Sequence, residues 1–212
     1  MPMITSGDLN MEVSLYGAEE GQPLLLIHGW PDDASTWDQV APALAAEGFR
    51  VIVPTLRGFG ATRFHNDDAL RTGNSAMLAI DMIALLDALG IDRFMVAGHD
   101  WGSNTAEALA VGWPDRVERM AMLSTPPRLG GMPTPPFEQT QRQWYHWFMA
   151  TARGGSGTCR PARVHPSALD QLVATGMVRR GHVQLCRPVV RQSRLGRRDA
   201  PQLPRALGRS GA

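Results

Sequence analysis

The stretch Gly98-His99-Asp100-Trp101-Gly102-Ser103 decides how this chain is read. A reactive residue flanked at two positions by small ones is the pattern of a tight turn that lifts a nucleophile from a strand end to a helix start. Here the central residue is Asp100, where a serine is more usual. DRFMVAGHD (92–100) before it is a short apolar run that reads as a strand. WGSNTAEALAVGWP (101–114) after it reads as a helix that stops before Pro114. Gly98 and Gly102 leave room for a sharp turn, and the helix N-terminus favours an anion at Asp100. An ordinary strand-to-helix turn with a capping aspartate has the same appearance, so the hexapeptide alone leaves both readings open.

A second motif lies upstream. PLLLIHG (23–29) is another apolar run halted by glycine, and it leads into His28-Gly29-Trp30-Pro31. Pro31 in that loop suits a cis peptide that fixes the backbone. The N–H of Trp30 then points into the same pocket as the N–H of Trp101, and two such donors stabilise charge developing on an oxygen. A Gly-Pro turn with a buried tryptophan is the plainer account of this tetrapeptide by itself. Both motifs, each at the end of a predicted strand, favour a site.

The remaining pattern is consistent with that placement. MEVSLYG (11–17) reads as an early strand, and a helix capped by Ser35 or Thr36 is expected to end near Gly48. FRVIVPTLRGFG (49–60) reads as a strand running into a glycine-rich loop. SAMLAIDMIALLDALG (75–90) has helical spacing and a terminal glycine, and RVERMAMLST (116–125) reads as a further strand. LSTPPRLGGMPTPPF breaks the alternation, and QTQRQWYHWFMATAR (139–153) resumes as an amphipathic, aromatic-rich helix. Strands alternating with helices predict an α/β fold with a mostly parallel sheet. RGFGAT (57–62) is not a phosphate loop, because no Gly-Lys-Ser/Thr follows it. Asp67, Asp68 and Arg71 read as a solvated loop.

Composition excludes several classes. Hydrophobic residues make up 43%, enough for a core, and the net charge of +1 suggests neither nucleic acid nor membrane as a partner. A run of about 18 apolar residues, as a membrane span needs, is absent. MPMITSGDLN at the start has neither a basic nor an apolar signal region, so a cytoplasmic location is expected. Cys159 and Cys186 fit no metal or disulfide framework, and no metal or cofactor is expected.

HGWPDDASTWDQVAPALAAEGFRVIVPTLRGFGAT together with GHDWGS resembles the α/β-hydrolase superfamily. Within it the chain is similar to the aspartate-nucleophile branch of epoxide hydrolases, haloalkane dehalogenases and fluoroacetate dehalogenases. The resemblance covers about residues 10–153. It implies an α/β-hydrolase fold, of which 1–127 is the N-terminal part of the core and 128–153 the start of a helical cap. It makes Asp100 the nucleophile, Trp30 and Trp101 the oxyanion-hole N–H donors, and His28, Gly29, Pro31, Gly98, His99 and Gly102 supporting residues of the two loops. An aspartate forms an alkyl ester that water cleaves at its carbonyl, whereas the ether of a serine resists hydrolysis. Fluoroacetate dehalogenases carry Arg where this chain has Trp101, which disfavours a small carboxylate substrate. Haloalkane dehalogenases share the Trp but often have Asn in place of Trp30, where epoxide hydrolases commonly have an aromatic. An epoxide ranks first as substrate and an organohalide second. Tyr145, His146 and Trp147 are candidate cap contacts to such a small apolar molecule, or else packing between cap and core.

The segment after Arg153 is different text. Up to Arg153 there are ten arginines and eighteen acidic residues; from Gly154 on there are eleven and two, and all fourteen aromatic residues precede Gly154. With suitable codons, residues 172–181 and 191–208 can be encoded so that a one-base shift reads as aromatic, acidic sequence like the cap of this family. A shifted reading frame near residues 153–158 is therefore the expected origin of the 154–212 tail, and a disordered basic tail is the alternative. His165, His182, Asp170 and Asp199 are then accidents of frame. The resemblance implies that the general-base histidine and its acid follow the cap. These 212 residues do not reach them, so the chain as written is expected not to turn over. A reading from another class is a non-catalytic hydrolase-like module whose basic tail binds an acidic partner.

Overall fold

The computed structural model describes residues 1–125, 127, 136–142 and 144. Among the described residues, seven strands run in chain order as β1 (Met3–Ser6), β2 (Leu9–Tyr16), β3 (Gln22–Ile27), β4 (Phe49–Pro54), β5 (Arg63–Phe64), β6 (Phe94–His99) and β7 (Val117–Leu123). The helices are α1 (Val40–Ala46), α2 (Ser75–Ala88), α3 (Trp101–Gly112) and α4 (Phe137–Arg142). The sheet order is β1-β2-β4-β3-β6-β7, with β5 added on β2. Strands β4, β3, β6 and β7 are mutually parallel, and β2 joins β4 antiparallel.

Alternation along the strands explains the layers. Leu25 and Ile27 of β3 face one side with Ile52 of β4 and with Phe94 and Val96 of β6. There they meet Leu78, Met82, Leu85 and Leu86 of α2 and Ala106 and Leu109 of α3. Leu24 and Leu26, Val51 and Val53 face the other side, against Trp37 and Ala41. Each fully buried Leu or Ile on these faces contributes about 1.5–3 kcal/mol. Two-sided burial is why the parallel strands read as near-continuous apolar runs.

The expected strands and the two helices flanking the turn at Asp100 are present. The sequence reading departs from the structure at two places. The helix expected from Ser35 or Thr36 to Gly48 is a 3-10 turn (Ala34–Trp37) followed by α1. Its cap is Asp33, whose carboxylate accepts from the Ser35 N–H at 2.9 Å. The turn begins upstream of both hydroxyls, so Ser35 and Thr36 lie inside it rather than at its cap position. The short strands β1 and β5 were not anticipated. They pair antiparallel with β2 over four and two residues, too few to show a period. Residues 143 and 145–153 of the predicted aromatic helix, Tyr145, His146 and Trp147 among them, lie outside the described residues, as does the 154–212 tail. No helix among the described residues is long and apolar enough to cross a membrane.

The topology fixes where a ligand belongs. From β3 the chain crosses to β4 on one side, and the next parallel strand, β6, lies on the other side of β3. The order therefore reverses at β3. In open α/β sheets, ligands bind at such a reversal, outside the carboxyl ends of the strands. The residues leaving those ends are His28-Gly29-Trp30-Pro31 after β3 and Asp100 after β6.

Candidate active site

Asp100 stands between β6 and α3 with φ 53° and ψ −113°. Such backbone is unfavourable for a residue with a Cβ and costs on the order of 1–3 kcal/mol, so it persists only where its surroundings over-determine it. They do so here. The Asp100 N–H donates to Leu123 O at 3.2 Å. Its carbonyl accepts from Ser103 N at 3.0 Å and from Thr125 Oγ1 at 3.3 Å. Its carboxylate accepts from the Trp30 N–H at 3.0 Å, through Oδ1. The Trp30–Pro31 peptide is cis, as the sequence suggested.

Small residues allow the two loops to meet. A Cβ on Gly29 would lie 2.5 Å from the Asp100 Cβ and 2.7 Å from His99 O. A Cβ on Gly102 would press on the carbonyl of Ile27, and one on Gly98 on the carbonyl of Gly102. The start of α3 thus rests directly on the end of β3, which brings the Trp30 amide to the carboxylate.

His28 is fully buried, and both its ring nitrogens are engaged. The Leu56 N–H donates to Nε2 at 3.0 Å, so Nε2 carries no proton. Nδ1 therefore bears the proton and donates to Gly29 O at 3.0 Å. Burial pushes the imidazole below its ordinary value of 6.5, against the opposing pull of the Gly29 carbonyl. The Phe59 ring packs edge-on at 5.0 Å. His28 is a neutral strut between the β3 and β4 loops. His99 closes β6, and its Nδ1 is buried without a hydrogen-bond partner. His65, in the β5 region, contacts Gly7 O through Nε2 at 2.8 Å, away from this cluster.

Sequence reasoning missed two contributors. Ser103 is fully buried, and its hydroxyl faces both Gly98 O at 2.7 Å and Leu123 O at 2.8 Å while accepting from Leu123 N at 3.0 Å. Its place as a second small residue after the aspartate was the available signal. Arg57, read only as part of a glycine-rich loop, is buried with Asp81 of α2. The pair is bidentate, with Nε–Oδ2 at 2.5 Å and a second contact at 2.6 Å. One further guanidinium nitrogen donates to Leu70 O at 2.9 Å and Thr72 O at 3.0 Å. Burial raises the Asp81 carboxyl above its ordinary range, and the guanidinium opposes that rise. The loop so held brings Gly73 against the Trp101 ring, where an added Cβ would sit 3.9 Å from the indole.

A strained aspartate stands at the carboxyl end of a parallel sheet and faces an amide from the adjacent loop. The family model described as alpha/beta hydrolase fold matches residues 22–167. The chain belongs to the α/β-hydrolase fold family. Within this family it is similar to a soluble epoxide hydrolase of a Corynebacterium species, with 42% identity over 113 residues, 53% of this chain and 37% of that one. An epoxide hydrolase of Caballeronia sordidicola is 37% identical over 123 residues, 58% of this chain and 36% of that one. A crystal structure from Klebsiella pneumoniae with a provisional epoxide hydrolase designation superposes with a TM-score of 0.68 at 41% identity. That match covers 79% of this chain and 56% of the other. The chain spans little more than a third of the length of the curated relatives, 36% and 37%. It is an epoxide-hydrolase-like member of the family.

Proposed function

We propose that Asp100 is the nucleophile of an epoxide-opening hydrolase and that the Trp30 amide selects which carboxylate oxygen attacks. The observation that carries this reading is the Trp30 N–H at 3.0 Å from Oδ1 of an aspartate on a strained strand-to-helix turn. The amide-bound Oδ1 becomes the ester carbonyl oxygen, and Oδ2 attacks a ring carbon. The ring C–O bond breaks, and the released alkoxide takes a proton. Tyr145, in the segment that the resemblance makes the start of a cap, is the candidate acid for that proton, with His146 and Trp147 as further candidate substrate contacts. Water then adds to the carbonyl carbon. Charge returns to Oδ1, where the Trp30 N–H and the Trp101 N–H at the first helical position stabilise it. The diol leaves and Asp100 is regenerated.

The second half-reaction needs a base for the water. Among the described histidines, His28 is spent on Leu56 and Gly29, His65 is tied to Gly7, and His99 is a supporting residue of the turn itself, with its Nδ1 buried. The base therefore comes from outside the described residues, and the described part supports alkylation without rapid release. An organohalide is the second candidate substrate, because Trp101 is a residue whose indole N–H can hold a departing halide.

Intact mass spectrometry of the 212-residue protein after incubation with an aryl epoxide tests this. The expected result is a single adduct of the epoxide's mass on the peptide containing Asp100, lost in Asp100→Asn. A bromoalkane run in parallel ranks the two leaving groups. Modification elsewhere, or none with either reagent, overturns the proposal.

A further inference from the structure

Two non-glycine residues among those described have a left-handed φ: Asp100 at 53° and Ser124 at 66°. They face each other across one set of hydrogen bonds. Asp100 N–H donates to Leu123 O, and Thr125 Oγ1 donates to Asp100 O, so the residues on both sides of Ser124 grip the nucleophile's backbone. The centre of this set is the Ser103 hydroxyl. It has one proton, shared between Gly98 O and Leu123 O, and its lone pair takes the Leu123 N–H. One buried oxygen therefore joins the end of β6, the first turn of α3 and the end of β7.

We propose that Ser103 is a positioning residue, whose hydroxyl fixes the β7 end so that Asp100 Oδ1 stays on the Trp30 amide. The argument is geometric. Leu123 O is the acceptor for the Asp100 N–H, and the Ser103 hydroxyl contacts both the N–H and the carbonyl of Leu123. Without the hydroxyl, Gly98 O and Leu123 O lose a donor and the Leu123 N–H loses one of its contacts, in a buried place. The cheapest relief is for the 123–125 segment to move outward, since Leu123 and Ser124 are exposed. Its movement releases the Asp100 amide, and the turn relaxes toward ordinary φ. The carboxylate then turns away from Trp30. Ser103 has no direct contact with the carboxylate and acts only through this chain of bonds.

The proposal deepens the reading of Asp100 as nucleophile, and its test separates the two. Hydrogen exchange of the Trp30 amide is followed by NMR in the full chain, for Ser103→Ala and for Thr105→Val as comparator. Thr105 is also a buried hydroxyl of α3, but it bonds only to Trp101 O within its own helix, at 2.8 Å. The Leu85 amide, deep in the core, reports global opening. We expect Trp30 exchange to rise roughly tenfold in Ser103→Ala relative to Leu85, as for one lost hydrogen bond, and to be unchanged in Thr105→Val. Equal Trp30-to-Leu85 ratios in the two variants overturn the positioning role, whether or not the protein reacts with epoxide. If the wild type is alkylated, Ser103→Ala should lower the maximal alkylation rate with the half-saturating epoxide concentration unchanged, and Ser103→Thr should restore it. A loss of reactive fraction at an unchanged rate would instead mark Ser103 as purely structural and sink the proposal. Absence of alkylation in the wild type counts against the nucleophile reading alone.

Discussion

Two charged groups stand on loops at the carboxyl end of the same sheet, on either side of the β3 loop, and they are treated in opposite ways. Arg57, after β4, is buried in unstrained backbone, and the Asp81 carboxylate and two carbonyls take up its donors. Asp100, after β6, is half-buried, sits on strained backbone, and accepts the Trp30 N–H on one oxygen. A buried charge with every partner in place is held for structure, because moving it would expose an unpaired ion in a low-dielectric interior. A carboxylate with acceptor capacity left over, held by its backbone more than by its side chain, keeps an oxygen for the chemistry proposed for it. Strain marks the second case and complete pairing the first.

The contrast can be broken most forcefully at the first group. Arg57→Met leaves Asp81 buried without its cation and should cost about 3–5 kcal/mol in urea unfolding. The pair Arg57→Met/Asp81→Leu should recover most of that loss. If the single and double variants are equally unstable, the ion pair is not the source of the effect. An intermediate effect is expected at His28, which has full pairing but no charge. His28→Phe removes the acceptor of the Leu56 N–H and should cost about 1–3 kcal/mol. The pH dependence follows from the lowered pKa. The neutral ring's contribution is complete above the unfolded value of 6.5 and is lost as pH falls from there through the folded value. Unfolding scans should therefore show wild-type stability declining below about pH 6.5, and His28→Phe should flatten that decline. The smallest effect is expected at Asp100, the proposed nucleophile. Asp100→Gly relieves the positive φ while losing the Trp30 contact and loosening the unfolded chain, so stability should change by less than about 1 kcal/mol. Alkylation should vanish completely. A loss of several kcal/mol would mean that Asp100 is a structural cap after all.

Much of the fold was legible because two-sided burial writes itself into composition. The runs 23–29 and 49–60 are apolar on successive residues since both sheet faces are covered, and the glycines that end them mark where the chain turns. The strands β1 and β5 were illegible because each pairs over a few residues and only with β2. The start of the helical segment was misplaced because Ser35 and Thr36 are good caps in isolation, and nothing local says that the turn already begins at Asp33. Arg57 was unreadable as a buried residue, since its partner Asp81 lies a loop and half a helix away.

The sequence by itself determined the turn at Asp100, the loop that faces it and the alternation that puts both at strand ends, because turn geometry and burial period act over a few neighbouring residues. Tertiary structure alone decided which oxygen of Asp100 the Trp30 amide holds, that His28 is a neutral strut, and that the Ser103 hydroxyl ties three elements together. Those outcomes depend on which strand lies beside which. Sheet order is set by the packing of α1 against one face and α2 and α3 against the other, and no stretch of a few residues encodes it.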